Sequence, residues 1–588
     1  MTEQSTAPLS KTQSLIDTVQ GDYSWGISNF DVYFAPNGVA GYDGVVSEGW
    51  LTYEINQFHE AFDLIEAVAN VNFNVVYSSA SAELVLVLDI NELGYDGALG
   101  HFFPPPSSNY TGQLTGVFNG LLWDISPGGD LELGGYGFVT ITHELLHGLG
   151  LGHPHDTSAG STIMPGVSSS FGDYGNYNFN QGVYTTMTYN SGNDGPGGVK
   201  GDVGGPGGEW GFEAGPMALD IAALQQMYGA NMNHNTGNDI YMLPGSNVSG
   251  TYWSSIWDAG GRDKIRYIGS KDVTIDLREA SIDHEVGGLG WLSSADGVAG
   301  GYTVANGVVI EDAQSGSGDD HLMGNDYNNS LFSGGGDDLL EGGAGKDKLD
   351  GGNGNDTMDG GAGNDTVKGR GNNDFLEGGA GNDLLNGNKG RDFVEGGLGN
   401  DEMIGEAGRD TLYGGDGNDS IRGGNLNDTV YGEAGDDTVE GGSSADYVNG
   451  GIGNDRVKGG KGNDTLLGDA GNDYLLGNTG MDSMLGGSGN DTFVSGTGDD
   501  TMTGGSGADT FVFNIFSDND MIADFTSLDW LVIDGDLWGS QTTAQGLLDT
   551  YASVVGGNVV FDFGGGDTLT VNGVASANDL HDYILMGL

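Results

Sequence analysis

The chain has 588 residues, with 18 basic and 84 acidic side chains and a net charge of −66 at pH 7. Such a charge disfavours nucleic acid and anionic lipid as partners, because phosphates would be repelled, and it favours multivalent cations. The absence of cysteine excludes disulfides and thiolate metal sites, and no run of about 18 apolar residues is present that could cross a membrane. We therefore expect a protein that binds neither nucleic acid nor a membrane interior and that is a monomer.

The N-terminal half has an ordinary composition and predicts an α+β domain. Its first residues carry no basic stretch followed by an apolar one, so no Sec signal peptide is expected. Apolar residues recur at helical spacing over 57–69, which predicts an amphipathic helix. Short β-rich runs at 71–77 and 84–88 predict strands.

A histidine motif at 143–153 predicts a catalytic metal site. His143 and His147 are four residues apart and share one face of a helix, so both imidazoles reach one metal. Gly150 allows the helix to end in a left-handed turn, which returns the chain and supplies His153 as a third ligand. Three nitrogens and one open position are typical of catalytic zinc, with Glu144 as the general base on a water molecule. The alternative is a core helix whose histidines are satisfied by other contacts.

This motif resembles the signature of the metzincin metalloproteases. Met187, within Thr186-Met187-Thr188-Tyr189, resembles the methionine turn that lies beneath the metal in that family. In the serralysin branch the tyrosine of this turn can ligate zinc and act on the oxyanion, which implies the same roles for Tyr189. Alone, Met187 would more often be plain core packing.

Other segments also resemble serralysins, so that the resemblance extends from about residue 15 to the C-terminus. Asp220–Gln225 and Tyr228–Asn231 look like the helix that closes the protease domain, and 256–261 and 308–311 look like inter-domain strands. The resemblance implies a bacterial, extracellular zinc endopeptidase that acts on protein or peptide substrates. It further implies export by a type I secretion apparatus through an uncleaved C-terminal signal, and removal of residues before Gly21. A substrate-pairing edge strand is expected at Ala98, Leu99 and Gly100, continuing to Phe102.

The C-terminal half is a tandem repeat of nine residues. Twenty aspartates follow one another at this spacing from Asp338 to Asp509, and two positions after each stands an apolar residue. A six-residue turn rich in Gly, Asn and Asp and a three-residue strand with an inward apolar side chain are expected in each unit. One unit cannot bury that side chain alone, so the units are expected to stack as a solenoid with two units per coil. A flexible glycine-rich linker is the alternative, and the strict apolar register disfavours it.

The acidic turns predict calcium, because stacked carboxylates repel one another unless a cation lies between them. The stretch 311–513 resembles the RTX repeats, whose parallel β-rolls bind several structural calcium ions in such turns. The turn Ser443-Ser444-Ala445 lacks glycine, and Asn329 stands where an aspartate is expected one repeat before Asp338. Weaker calcium binding is expected at both places. The predicted calcium ligands are Asp338, Asp347, Asp356, Asp365, Asp374, Asp383, Asp392, Asp401, Asp410, Asp419, Asp428, Asp437, Asp455, Asp464, Asp473, Asp482, Asp491, Asp500 and Asp509.

These patterns together predict an α+β (α/β-like) zincin protease domain followed by an all-β parallel β-roll. The expected segments are a short propeptide (1–20), the protease domain (21–245), a connecting β segment (246–310), the β-roll (311–513) and a C-terminal cap with the secretion signal (514–588). Two alternatives remain open: an RTX surface or adhesin-like protein whose zinc domain is a relic, and a zinc-binding module without hydrolysis. Glu144 argues against both, because neither needs a base.

Overall fold

A computed structural model describes residues 25, 27–39, 47–89, 100–102, 112–119, 131–133, 135–151, 153, 185, 213–248, 251–281, 291–515 and 517–587. The chain divides into two compact units between Gly316 and Ser317. Within the described parts of the chain, no helix is long and apolar enough to cross a membrane.

The first unit contains a five-stranded sheet and three helices. The strands are β1 (Asn29–Phe34), β2 (Asn72–Val75), β3 (Leu84–Asp89), β4 (Gly100–Phe102) and β5 (Leu114–Asn119), in the order β2-β1-β3-β5-β4. Only β4 runs antiparallel to its neighbour. The helices are α1 (Thr52–Val68), α2 (Tyr136–Leu149) and α3 (Ala218–Tyr228). The predicted helix at 57–69 and both predicted strands are present, and the helix begins five residues earlier.

Helix α1 is amphipathic for the reason expected from its sequence. Phe58, Ala61, Phe62 and Ile65 are at most 2% exposed and pack in the core. The side chain of Glu54 accepts a hydrogen bond from the backbone nitrogen of Leu51 and so caps the first turn. The mixed helix and sheet composition agrees with the α/β-like class expected for this half.

Among its described residues the first unit also contains seven short strands: Ile240–Met242, Trp253–Ile256, Lys264–Arg266, Val273–Asp276, Ser293–Ala295, Gly301–Val304 and Asp312–Gln314. The predicted strand at 256–261 was wrong for all but Ile256, which ends the strand Trp253–Ile256, because the chain turns at 257–261. At 308–311, Val308 and Ile310 are buried, but no strand forms there and the next one begins at Asp312. The backbone nitrogens of Glu311 and Asp312 instead donate to the carbonyl of Asp263, which explains the irregular path.

The second unit is a parallel β-solenoid built from two facing sheets. Each strand pairs with the strand 18 residues later, for example Thr366 with Leu384, so the prediction of two repeats per coil is confirmed. The apolar residues point inward as predicted, and all from Leu340 to Phe511 are at most 2% exposed. This arrangement is the β-roll expected from the repeats.

The strands of the roll are longer than predicted. Most have six residues, such as Thr366–Gly371, and the turn that follows is only three residues long. The expectation of a six-residue turn was wrong, because the glycines pair in register with the glycines of the next coil, as Gly379 does with Gly397. Glycine has no Cβ, and its backbone can therefore remain in the ladder at this close approach.

The strands of the second unit alternate between the two sheets. One sheet contains His321–Met323, Leu339–Glu341, Ala344–Gly345, Thr357–Asp359, Ala362–Gly363, Phe375–Ala380, Phe393–Leu398, Thr411–Asp416, Thr429–Ala434, Tyr447–Ile452, Thr465–Ala470, Ser483–Ser488, Thr501–Ser506 and Asn519–Ile522. The other contains Ser330–Gly335, Lys348–Asn353, Thr366–Gly371, Leu384–Gly390, Glu402–Gly408, Ser420–Asn425, Thr438–Ser443, Arg456–Lys461, Tyr474–Thr479, Thr492–Thr497, Thr510–Phe513, Trp530–Ile533 and Ile584–Met586.

The C-terminal end of the roll is capped by a small mixed segment. It contains the helix Ala544–Tyr551, 3-10 turns at Gly535–Trp538 and Ala577–Tyr583, and antiparallel strands Ala552–Val555, Asn558–Gly564 and Asp567–Val571. The final strand, Ile584–Met586, pairs in parallel with Trp530–Ile533. The segment predicted to carry the secretion signal thus includes the last strand of the sheet.

Candidate metal centres

Helix α2 carries the first two histidines and ends where the sequence predicts. Phe138, Ile141, Leu146 and Leu149 are fully buried, and they anchor one side of the helix in the core. Gly150 has φ 114° in the left-handed region, and its nitrogen donates to the carbonyls of Leu146 and His147. A residue with a side chain is strained in this conformation, so glycine permits the turn that returns the chain.

The three histidines of the motif converge on one point. Nε2 of His153 lies 3.1 Å from Nε2 of His143 and 3.0 Å from Nε2 of His147. All three side chains are 7–8% exposed. Nitrogens around a tetrahedral zinc, at 2.0–2.1 Å from the metal, would be about 3.3–3.4 Å apart, so this spacing suits one zinc ion. The donor set and its geometry therefore fit the metal that the motif predicts.

Hydrogen bonds outside the histidine cluster hold the end of α2 in place. Nδ1 of His147 lies 2.8 Å from the carbonyl oxygen of Leu151, and a proton on Nδ1 leaves Nε2 as the ligand atom. Trp25 Nε1 donates to the carbonyl of Gly148 at 2.7 Å, and the Tyr228 hydroxyl donates to the carbonyl of Leu149 at 2.6 Å. Burial raises the pKa of Tyr228, which therefore stays a neutral donor. Sequence reasoning missed Trp25 and Tyr228 because their contacts span 79 residues or more.

Glu144 follows His143 on α2 and is partly buried. Met187 and Tyr189, the predicted turn beneath the metal, lie outside the described residues, as do Gly21 and the residues before it. Thr185, two residues before Met187, is fully buried, and its hydroxyl donates to Asp220 at 2.5 Å in the first turn of α3. The segment that leads to the methionine turn is thereby joined to the helix predicted to close this domain.

The predicted substrate strand lies at an edge of the sheet. Gly100–Phe102 forms β4, which is the last strand in the order and pairs only with β5 among the described strands. Ala98 and Leu99 lie outside the described residues. An edge position is what the addition of a substrate strand requires, because unpaired backbone groups are then available.

A second group of carboxylates was missed by the sequence analysis. Ligand oxygens of Asp239, Asp258 and Asp263 lie within 4.8 Å of one another. Asp263 is fully buried, and its Oδ2 has no hydrogen-bond partner among the described residues. Burial, followed by the charges of Asp258 and Glu311, raises the pKa of Asp263 to about 6. Oxygen ligands of this kind suit a hard divalent cation, and the D-x-G-G-x-D spacing at 258–263 was the available signal.

The aspartates of the repeats form two continuous hydrogen-bonded ladders, one at each edge of the roll. The backbone nitrogen of each aspartate donates to Oδ1 of the aspartate 18 residues later, as Asp365 does to Asp383 at 2.7 Å. All twenty side chains are at most 3% exposed. Each of these hydrogen bonds joins two neighbouring coils, which explains why the aspartates recur at a strict nine-residue spacing.

The second oxygen of these carboxylates is unsatisfied. Among the described residues, Oδ2 of every ladder aspartate from Asp338 to Asp500 is buried without a hydrogen-bond partner. Burial, with added repulsion from neighbouring aspartates, raises the pKa of Asp347 to about 7 and that of Asp500 to about 8. A buried row of carboxylates with free oxygens requires a cation or protons, and its donors are those that calcium prefers.

The ladders extend beyond the strict nine-residue register. Asp446, which lies in the turn without glycine, occupies the same buried position as the other aspartates and accepts from Asp428 at 2.9 Å. Asn329 takes the place of an aspartate and donates its backbone nitrogen to Asp347. At the other end Asp520 and Asp529 accept from Asp500 and Asp509, with a step of 20 residues. Because this step is 20 residues and not 18, a search for a nine-residue period does not find these two positions.

Comparisons with known proteins found relatives for both halves of the chain. The family described as the RTX calcium-binding nonapeptide repeat matches nine overlapping stretches, from residue 314 to residue 518. The serralysin of Photorhabdus laumondii is 31% identical over 342 residues, which cover 54% of this chain and 64% of that protein. Metallopeptidase AprA of Pseudomonas marginalis is 33% identical over 277 residues, covering 45% and 52%.

A solved structure, the extracellular lipase LipA from Serratia marcescens, matches 35% of this chain and 40% of its own chain, at 20% identity and a TM-score of 0.20. The chain spans less than two thirds of the length of the serralysin and the metallopeptidase that it matches. The resemblance inferred from the histidine motif and from the repeats is confirmed. The chain is thus related to the serralysins over about half of its length, and its second unit is a β-roll of RTX calcium-binding repeats.

Proposed function

We propose that the protein is a secreted zinc-dependent endopeptidase whose β-roll folds on calcium outside the cell. The observation that carries this proposal is the convergence of His143, His147 and His153, with Glu144 on the same helix. The similarity to serralysins supports it, because the relatives are named as a serralysin and a metallopeptidase. The substrates are proteins or peptides, and the route of export is a type I secretion apparatus.

His143, His147 and His153 hold the zinc ion. When bound, zinc supplies a Lewis acid that polarises a peptide carbonyl and activates water. Glu144 accepts the proton of the attacking water and returns it to the leaving amine. By its resemblance to the serralysin turn, Tyr189 would donate a hydrogen bond to the oxyanion and could also hold the metal, and Met187 would belong to the methionine turn. The edge strand β4 orients the substrate by backbone pairing, with Gly100 in the pairing segment.

The test is hydrolysis of casein by the full chain with Glu144→Gln. We expect activity to fall by about 10²–10⁴-fold, because the base is removed, while bound zinc stays at the wild-type level. Glu60→Gln is the matched control, since Glu60 lies on the exposed face of α1 and the chemical change is the same. Full activity of Glu144→Gln would refute the mechanism. A wild-type protein that binds zinc but cleaves nothing would favour the alternative, an RTX surface protein with a relic zinc domain.

A further inference from the structure

The β-roll has two edges, and their turns are built differently. The regular edge contains the ten turns that end in Asp347, Asp365, Asp383, Asp401, Asp419, Asp437, Asp455, Asp473, Asp491 and Asp509. The interrupted edge contains the ten turns that end in Asp338, Asp356, Asp374, Asp392, Asp410, Asp428, Asp446, Asp464, Asp482 and Asp500. The two edges differ in the residue that stands two positions before the aspartate, which we call the turn position.

On the regular edge the turn position is glycine in all ten turns. From Gly363 to Gly507 its φ lies between 123° and 146°. A Cβ added there would lie 1.4–1.8 Å from the carbonyl oxygen of the glycine 18 residues earlier. No side chain fits in that space, so the ten turns share one backbone conformation because they share glycine.

On the interrupted edge three turn positions carry side chains. Asn372, Leu426 and Ser444 have φ values of 79°, 72° and 90°. They occupy the ordinary left-handed region, because the conformation of the glycine turns would drive a Cβ into the preceding carbonyl. Leu426 and Ser444 lie in consecutive coils, so the altered backbone extends over two neighbouring turns.

The hydrogen bonds along the outside of the turns also differ between the regular edge and the interrupted edge. The residue before each ladder aspartate forms an outer ladder, in which a side-chain oxygen accepts the backbone nitrogen of the next coil. On the regular edge these bonds continue without a break from Asn364 to Ala508. On the interrupted edge they end at Arg391 and resume between Asn463 and Met481, within the described roll. The gap includes the turns of Leu426 and Ser444.

The inner ladder, by contrast, is the same at both edges. Asp374, Asp428 and Asp446 keep a buried Oδ2 without a hydrogen-bond partner in the described structure, as the aspartates of the regular edge do. Calcium needs six to eight oxygens, and carboxylates alone supply too few, so backbone carbonyls of the turn must provide the rest. A change of φ at the turn position rotates the adjacent peptide groups and so alters that part of the donor set.

We propose that the roll has two classes of calcium site: the glycine turns, which make up the whole of the regular edge, bind calcium with high affinity, and the turns of Asn372, Leu426 and Ser444 on the interrupted edge bind it more weakly. The inference rests on calcium binding by the repeats. It adds that the sites fill unequally, so that at limiting calcium the turns of Asn372, Leu426 and Ser444 are the last to be occupied.

The experiment measures bound calcium in the full chain by equilibrium dialysis over a series of free calcium concentrations. Two variants carry the same change of charge in adjacent coils: Asp437→Asn with Asp455→Asn on the regular edge, and Asp428→Asn with Asp446→Asn on the interrupted edge. At the free calcium that half-fills the wild type, the regular-edge variant loses more bound calcium than the interrupted-edge variant does. Equal losses in both variants would overturn the proposal.

A second variant guards against misfolding of the aspartate variants. Leu426→Gly with Ser444→Gly restores the turn glycine and keeps every ligand carboxylate. This variant binds more calcium than the wild type at low free calcium, and an unchanged binding curve would overturn the proposal. If the wild type itself bound no calcium, the calcium role of the repeats would be refuted, and this result is distinct from equal binding by the two edges.

Discussion

The histidine site of the first unit and the aspartate ladders of the second unit differ in how each would bind a metal. His143 and His147 lie on a helix whose apolar side chains are buried, and His153 follows the left-handed turn that ends it, so the fold itself brings the three imidazoles together. The ladder aspartates are carboxylates stacked in register, and in the described roll each one from Asp338 to Asp500 leaves a buried oxygen without a hydrogen-bond partner. In the second unit, therefore, the metal must help to form the fold.

The proposed zinc ion would thus serve the reaction, whereas calcium would stabilise the fold of the second unit. Removal of the proposed zinc ion would leave three neutral imidazoles and would leave the core around α2 unchanged. Removal of calcium leaves a row of like charges, whose repulsion opposes the compact state. Ligands that bind only the folded form add their binding free energy to folding, and many weakly stable coils depend on this contribution.

Calcium removal is expected to give the largest effect. In excess chelator the amides of the roll, for example those of Thr366–Gly371, should lose protection from hydrogen exchange. Amides of α1 and α2 should keep theirs, because their core contains no stacked charge. Exchange measured by mass spectrometry reports both units in one sample.

The control for this prediction is replacement of calcium by magnesium. Magnesium demands octahedral geometry and keeps its waters, so it should restore little protection. A roll that stays fully protected in chelator would show that stacked carboxylates do not need calcium, and the comparison between the two units would fail.

Loss of a zinc ligand should affect binding but not folding. His153→Gln removes one of three ligands, so bound zinc should fall far below one ion per chain and casein hydrolysis should be lost. Hydrogen exchange in α2 should change little. His59→Gln, on the exposed face of α1, is the control with the same chemical change. Unfolding of the first unit in His153→Gln would show that zinc is structural there as well.

The pH dependence of the calcium-free roll gives a smaller, graded effect. Burial raises the pKa of the ladder aspartates from 3.8 to about 6 in Asp365 and about 7 in Asp374, so the folded state binds more protons than the unfolded state between about pH 4 and 7. The stability of the calcium-free roll should therefore fall as pH rises through this range. With saturating calcium the trend should reverse, because the ionised carboxylate is the ligand. Thermal melts by circular dichroism at pH 5 and pH 8 measure both; parallel trends would contradict the role of the ladder.

The sequence was most informative where a local pattern determines the structure. The spacing of His143, His147 and His153 and the left-handed turn at Gly150 were predictable because they depend on helix geometry alone. The inward apolar residues and the two repeats per coil followed from the strict period. Asp520 and Asp529 were not predictable, since the step of 20 residues arises from a loop whose ends the fold brings into register.

A single sequence does not show which distant segments of the chain contact one another. The carboxylates of Asp239 and Asp263 meet Asp258 because short parallel strands place them together, and no period marks them. The strand length in the roll was underestimated for a related reason: glycine was taken as a turn signal, whereas here it allows close pairing between coils. Trp25 and Tyr228 belong to the same class of long-range contact.

The smallest expected effect tests how firmly the fold holds the histidine site. Tyr228→Phe removes the buried hydroxyl that donates to the carbonyl of Leu149, one residue before the left-handed turn. A buried neutral hydrogen bond contributes about 1 kcal/mol, so amides in the last turn of α2 should exchange about fivefold faster. Tyr77→Phe is the control, because that side chain is 96% exposed. If the last turn is a preformed support, zinc affinity should fall only slightly in Tyr228→Phe, since His147 and His153 keep their backbone positions. A large loss of zinc with unchanged exchange would instead mean that the hydroxyl acts on the metal site and not on the helix end.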